Sequence, residues 1–320
     1  MKGKLLSFAI LALLLGPRAF SQKLITTVSI GGQPGQLAVN GATNMIYVPN
    51  TTLNSVSVIN GNSNQIVASI PLGAAPFAAA VNPTTNLVYV TVPASSVVVI
   101  DGASNVVTAT IPATNPLWIA VNPVTNLAYF SSTSSDSSSV SVINGTNNQI
   151  VKTLSLATNC CVAAVAVNTT TNQIYVADDF STEQVVVIDG NTNEFRMFAI
   201  PGLCNLIYMA VDSSLNRIYG ADSVCGGLYV VNGANDKLLT TVLPKDTGPI
   251  AVNPTNHEIA DFAINVLTFL NGRTDAVTGT TVSLPTSLQA ANIAANNKNR
   301  YYVSLYKATG IAVISGPKSQ

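Results

Sequence analysis

The chain is poor in charge. Lys, Arg, Asp and Glu make up 9% of it against 48% hydrophobic residues, where an ordinary globular domain is roughly a quarter charged. It has one histidine, one tryptophan and four cysteines in 320 residues. A lone histidine excludes histidine-rich copper sites, and no Cys-x-x-Cys-His is present for haem attachment. A Ser-His-Asp triad would have to use His257, and no Gly-x-Ser-x-Gly elbow accompanies it. Walker and Gly-x-Gly-x-x-Gly sequences are also missing. Nothing with helical period appears after residue 21, and no later apolar run is long enough to span a bilayer. Lys and Arg form no cluster, so the surface offers little to displace counterions from a nucleic acid.

The first 21 residues read as an export signal. Lys2 and Lys4 precede an apolar run over 5–15, Gly16-Pro17 breaks it, and Ala19-Phe20-Ser21 offers small residues for cleavage before Gln22. Eleven apolar residues are too few for a membrane anchor, which needs about 20. Cleavage would remove Lys2, Lys4 and Arg18 and no acid. That leaves 11 Lys plus Arg against 14 Asp plus Glu, a net charge of −3. The expected organisation is a signal peptide over 1–21 and a single domain over 22–320. That domain is expected to be soluble, with Ser, Thr and Asn doing most of the solvating in place of charge.

What the chain has in abundance is repetition. Ala-Val-Asn-Pro-Thr-Thr-Asn, followed by an apolar pair and Tyr-Val, is one landmark. Its first polar residue recurs at Asn40, Asn82, Asn122, Asn168, Asp212, Asn253 and Asn296. A second landmark, an apolar run ending in glycine, recurs in step at Gly61, Gly102, Gly145, Gly190, Gly233, Gly272 and Gly316. Periods of about 40–45 residues with four strands each mark propeller blades.

In the second copy the strands fall at 77–81, 87–92, 96–100 and 106–111. Asn82-Pro83-Thr84-Thr85-Asn86 forms a turn of residues that bond their own backbone, and Gly102 is placed in a hairpin turn where positive φ is expected. The fold class is therefore all-β, a seven-bladed propeller of four-stranded blades. The last copy has only three strands, and residues 23–30 resemble the missing fourth, so the N-terminal strand should close blade 7. Two residues before each landmark stands an alanine: Ala38, Ala80, Ala120, Ala166, Ala210, Ala251 and Ala294. Blades converge at the axis, where only a small side chain fits.

Tyr47-Val48-Pro49-Asn50, the turn 82–86 and Val99-Ile100-Asp101-Gly102 together resemble the YVTN-family (YncE-like) β-propellers, over all of 23–316. Copies six and seven depart from the pattern: 253–256 and 296–299 read as one residue short, with Ile259 in place of the tyrosine. The resemblance implies the propeller fold. The family includes secreted proteins of unknown role, surface-layer proteins and a single-stranded DNA binder, so the resemblance names no single activity.

All landmark turns share one rim. The opposite rim carries the loops that differ most between copies, at 131–139, 177–184, 221–227 and 304–310, and loops on a rigid ring are where binding concentrates. Four residues before each landmark, at the channel mouth of that rim, stand Gln36, Ala78, Trp118, Ala164, Tyr208, Pro249 and Asn292. Trp118 and Tyr208 are candidates to flank a ligand, with Gln36 and Asn292 orienting it. The simpler alternative is that the aromatics fill the axial gap. Asp178, Asp179, Glu183 and Asp222 lie in loops of the same rim. Clustered carboxylates could bind Ca²⁺, so Asp178, Asp179 and Asp222 join the ligand-binding candidates; no dense Asp-x-Asp-x-Asp loop is present, and solvated loop acids are the favoured alternative. His257, in a landmark turn at the surface, reads as structural.

Export makes disulfides plausible for Cys160, Cys161, Cys204 and Cys225. Cys204–Cys225 is the favoured pair, leaving Cys160 and Cys161 as a vicinal bridge or as thiols. A staple between copies four and five is the competing scheme.

No catalytic set, metal set or cofactor motif emerges. The expectation is an exported, monomeric binding scaffold, periplasmic or extracellular, whose partner is a protein, glycan or small molecule. A propeller-type hydrolase or lyase acting at the axial mouth is the alternative. Single-stranded nucleic-acid binding follows only from the family resemblance and runs against the charge balance.

Overall fold

The computed structural model describes residues 22–134, 137–156, 162–178, 184–243, 247–285, 290–306 and 308–316. The expected signal, Cys160, Cys161, Asp179 and Glu183 lie outside them. The described residues contain seven four-stranded antiparallel sheets and no helix. Blades 1 to 6 cover 38–71, 79–112, 116–156, 162–199, 206–242 and 250–283 in order. Blade 7 combines 290–315 with the N-terminal strand Lys23–Ser29, which pairs antiparallel with Gly310–Ser315 through Thr27 opposite Ala312. Each inner strand lies against the next, the seventh against the first, so the ring closes.

Alternation within the strands explains the composition. In blade 2 the second and third strands, Leu87–Val92 and Ser96–Asp101, are buried almost throughout, because each blade is covered on both faces by its neighbours. The outer strand Val106–Pro112 alternates between exposed and covered. In this register the repeat's alanine stands directly across from the repeat's tyrosine, as in Ala80 opposite Tyr89 and Ala120 opposite Tyr129. Partners in an antiparallel pair share a face, so a small residue there leaves room for a ring that is fully buried.

Blade 6 corrects the sequence reading. Its turn is not short, because His257 takes the fifth position with φ 61° and pairing resumes with Val252 opposite Ile259. The residue at the tyrosine position is therefore Ala260, opposite Ala251, and not Ile259. Blade 7 does have the shortened turn, and its tyrosine is Tyr302, opposite Ala294.

The second landmark's glycine also differs from expectation. Gly102 is not among the residues at positive φ; in that turn Asn105 holds the left-handed position, at 56°. Gly102 is required for close approach. A Cβ there would sit 2.6 Å from the Tyr47 hydroxyl of the preceding blade and 2.8 Å from the Asn86 carbonyl oxygen.

Candidate functional site

The two rims are built differently, and that difference locates the site. On the landmark rim every turn is capped and tied to the next blade. Asn82 Oδ1 accepts the Thr84 and Thr85 N–H groups, while its Nδ2 donates to Asn126 Oδ1 of blade 3 at 2.8 Å. The same link runs from Asn40 to Asn86, Asn122 to Asn172, Asn168 to Asn216 and Asn253 to Asn299. Asn296 to Asn44 closes the circle from blade 7 to blade 1.

The accepting residues all occupy the left-handed region, φ 50–61°, which asparagine tolerates better than other non-glycine residues. Each also offers its backbone carbonyl to the second landmark's glycine, as Asn86 does to Gly102 N–H at 2.9 Å. The landmark residues are buried, Asn40, Asn82, Asn122, Asn168 and Asn253 completely. These asparagines therefore hold the ring together and do not solvate it.

One link of the seven is written in different chemistry. Asp212 replaces the donor asparagine and His257 the acceptor, with His257 Nδ1 to Asp212 Oδ2 at 2.7 Å. A carboxylate cannot donate, so Nδ1 carries the proton. Burial alone would raise the Asp212 carboxyl, but hydrogen bonds from His257, the Leu215 N–H and Ser214 bring it below its ordinary value. The single histidine is thus a structural residue, partly covered and not free at the surface.

Among the described residues the variable rim has no such circle. At its mouth Phe77, Trp118 and Tyr208 form an edge-to-face chain, with centroids 5.7 and 6.0 Å apart. Trp118 and Tyr208 meet past the small Ala164 of blade 4, and all three rings are partly exposed. Register shifts in the inner strands of blades 3 and 5, between Pro116 and Ile119 and between Leu206 and Tyr208, sit at these two residues; such bulges re-aim side chains. Burial raises the Tyr208 hydroxyl above its usual pKa.

At the blade 2 end of this row, Gln36 is buried and its backbone N–H bonds to Phe77 O at 2.9 Å. Asn292, at another register shift, has a buried Oδ1 with no hydrogen-bond partner. Trp118 and Tyr208 are thus brought together, while Gln36 and Asn292 stand apart from them on blades 1 and 7.

Asp222 is a correction. It is fully buried, not solvated. Its carboxylate accepts N–H groups from Cys204 at 2.7 Å, Val224 at 2.8 Å and Cys225 at 3.0 Å, and so organises the loop that the Cys204–Cys225 disulfide closes. This is the favoured pairing, inside blade 5. The two sulfurs and an Asp222 oxygen lie within 4.8 Å of one another, but sulfurs in a disulfide do not ligate as thiolates. What remains is one carboxylate already holding three donors. Asp178 ends the second strand of blade 4, paired with Val162.

Two buried acids went unremarked in the sequence. Glu258, in blade 6, accepts from Gln22 Nε2 at 3.0 Å and the Tyr301 hydroxyl at 2.7 Å. It therefore ties blade 6 to blade 7 and to the residue before the closing strand. Burial outweighs those bonds and raises its pKa to about 7. Asp261, almost completely buried, accepts only a long bond from Gly248 N–H, 3.3 Å, and burial raises it to about 7 as well. The signal for Asp261 was available: blades 1, 2, 4 and 7 place valine at the same register, at Val48, Val90, Val176 and Val303.

Among the described residues no helix is long and apolar enough to cross a membrane. Neither a family model nor a curated protein matches the sequence. Solved structures match the fold closely. Hydrazine synthase of Kuenenia stuttgartiensis shares 14% identity at TM-score 0.76, covering 88% of this chain and 95% of that one. The structure of U3-55K gives 12% and 0.80, covering 94% and 100%. The RRP9 WD40 repeats give 11% and 0.79, covering 92% and 97%. At such identities the likeness establishes fold alone: the chain is a seven-bladed β-propeller.

Proposed function

We propose that this protein is an exported binding scaffold that engages a partner at the mouth of its variable rim, with Trp118 and Tyr208 as anchors and Gln36 and Asn292 as orienting groups. The observation that carries the reading is the aromatic chain at the mouth. Three partly exposed rings stand in an edge-to-face row, Trp118 and Tyr208 on inner strands and Phe77 just before one, and interfaces and pockets favour such aromatic anchors. The unbonded Asn292 oxygen adds a polar group awaiting a donor. A protein partner fits best with the WD40-like architecture. Export is supported by the Cys204–Cys225 disulfide, which suits an oxidising compartment, and by the closing strand beginning right after the expected cleavage point. Kinship to YVTN propellers is part of the same proposal.

The test is affinity capture from envelope and culture fractions with wild type, Trp118→Ala, Tyr208→Ala and, on the landmark rim, Val124→Ala. A partner retained by wild type and Val124→Ala but lost from both aromatic variants is expected. Capture that ignores the aromatics and fails with Val124→Ala would contradict the assignment.

A further inference from the structure

Between blades 2 and 3 lies a cleft of about 460 Å³, within the range of small-ligand pockets. It is separate from the axial mouth. Its floor is apolar, from Pro112 and Ala113 at the end of blade 2 and Phe130 and Ile150 of blade 3. Its remaining lining is serine and threonine, with no charged side chain among the described residues.

Comparison between blades shows where the cleft comes from. Phe130, Ser141 and Thr153 face one another across the second, third and outer strands of blade 3, and Ser132 faces Ser139 in the next row. The neighbouring blades put Val98 and Val186 where Ser141 stands, and blade 2 puts Val92 where Ser132 stands. Each exchange of valine for serine removes two methyl groups from a packed interface and adds one hydroxyl to it. A fold that needed only a filled interface would lose by this, since buried hydroxyls without partners cost stability.

The bonding state of the hydroxyls follows the same line. Ser141 and Thr153 bond each other at 2.9 Å. Ser132 and Ser139, opposite and partly buried, hydrogen-bond neither each other nor any other described residue. A hydroxyl both donates and accepts, so such a wall matches a ligand whose groups do the same. Among the described lining residues an anion would find no cation and a cation no carboxylate, while the apolar floor suits a surface of C–H groups.

We propose that this cleft is a carbohydrate-binding site for a neutral, polyhydroxylated chain, with Ser132, Ser139 and Ser141 bonding sugar hydroxyls over the Phe130–Ile150 floor. This assignment does not depend on the role given to Trp118 and Tyr208.

The experiment uses the full chain in titration calorimetry and saturation-transfer NMR. The probes are maltohexaose, cellohexaose, xylohexaose and chitohexaose, with oligogalacturonate and heparin oligosaccharide as charged comparators. Saturable binding of at least one neutral probe is expected. Ser139→Asp, which puts a charge in the wall, and Ser132→Phe, which fills the space, should each weaken it roughly tenfold or more, as loss of one or two good hydrogen bonds implies. Val124→Ala, exposed on the landmark rim, should leave it within about twofold. Circular dichroism identifies any variant that fails to fold, and Ser139→Asp, at a partly exposed position, then decides. The proposal is overturned if no neutral probe binds, if the charged comparators bind better, or if a folded Ser139→Asp binds as wild type does.

Discussion

Asn292 lies on the inner strand of blade 7, Ala290–Ala295, and Asn296 just past its end, and the two show how the rims differ. Asn296, at the landmark rim, donates to Asn44 across the closure and accepts from the Lys298 and Arg300 N–H groups. Asn292, at the variable rim, leaves its buried side-chain oxygen unbonded. The same residue type serves assembly at one end of the strand and remains available at the other. One rim spends its polar groups on holding seven blades in a circle, which leaves the opposite rim free to differ from blade to blade.

The comparison breaks most completely if the circle itself is opened. Deleting residues 23–30 removes the outer strand of blade 7 and exposes the edge of Gly310–Ser315. The expected loss is roughly 5 kcal/mol or more, in the class of effects that only major structural lesions produce. Thermal unfolding followed by circular dichroism should show a large drop in midpoint or no folded baseline; an unchanged midpoint would mean the strand is dispensable.

Changing pH acts through blade 6 and leaves the contrast between the rims intact. Glu258 and Asp261 both titrate near 7 when folded, against about 4.3 and 3.9 in an unfolded chain. Between about pH 4 and 7 the folded protein therefore holds protons that the unfolded chain has released. Stability is greatest on the acid side of this window and declines as pH rises through it, by on the order of 4 kcal/mol per group at most. Asp261→Asn should flatten much of that decline in denaturant titrations from pH 5 to 8. A stability that rises over the same range would refute the burial argument.

A finer test exchanges the chemistry of one link. His257→Ala leaves the buried Asp212 carboxylate without its side-chain partner from the next blade and should cost about 2 kcal/mol. The double variant Asp212→Asn with His257→Asn rewrites the link in the form used by the other six. It should return to within about 0.5 kcal/mol of wild type, a coupling that a double-mutant cycle reads directly. If the double variant is as unstable as the sum of the singles, Asp212 and His257 are not a link of the same kind.

The blade count, the strand order, the closure by the N-terminal strand and the Cys204–Cys225 pairing were legible in the sequence, because each rests on spacing. A repeat shows where a turn falls. What spacing cannot show is which partner a turn residue takes from the next blade. Asn82 and Asn86 are visible as one turn, yet Asn82 donates to Asn126, and the circle of links appears only in three dimensions. The blade 6 turn reads in the sequence as ending at Asn256 and so one residue short, whereas His257 completes it and moves the tyrosine position from Ile259 to Ala260. Asp222 looked like a solvated loop acid because burial of a carboxylate by three backbone donors leaves no trace in composition. At the mouth, periodicity was enough to bring Trp118 and Tyr208 to one place, but not to show that they touch.

The most direct measurement of the difference between the rims is the urea unfolding free energy of Asn296→Ala beside that of Asn292→Ala. Truncating Asn296 leaves Asn44 and two backbone groups short of partners and should cost about 1–3 kcal/mol. Truncating Asn292 removes an oxygen that bonds nothing and should change stability by less than about 0.5 kcal/mol in either direction. Equal losses at the two positions would contradict the account.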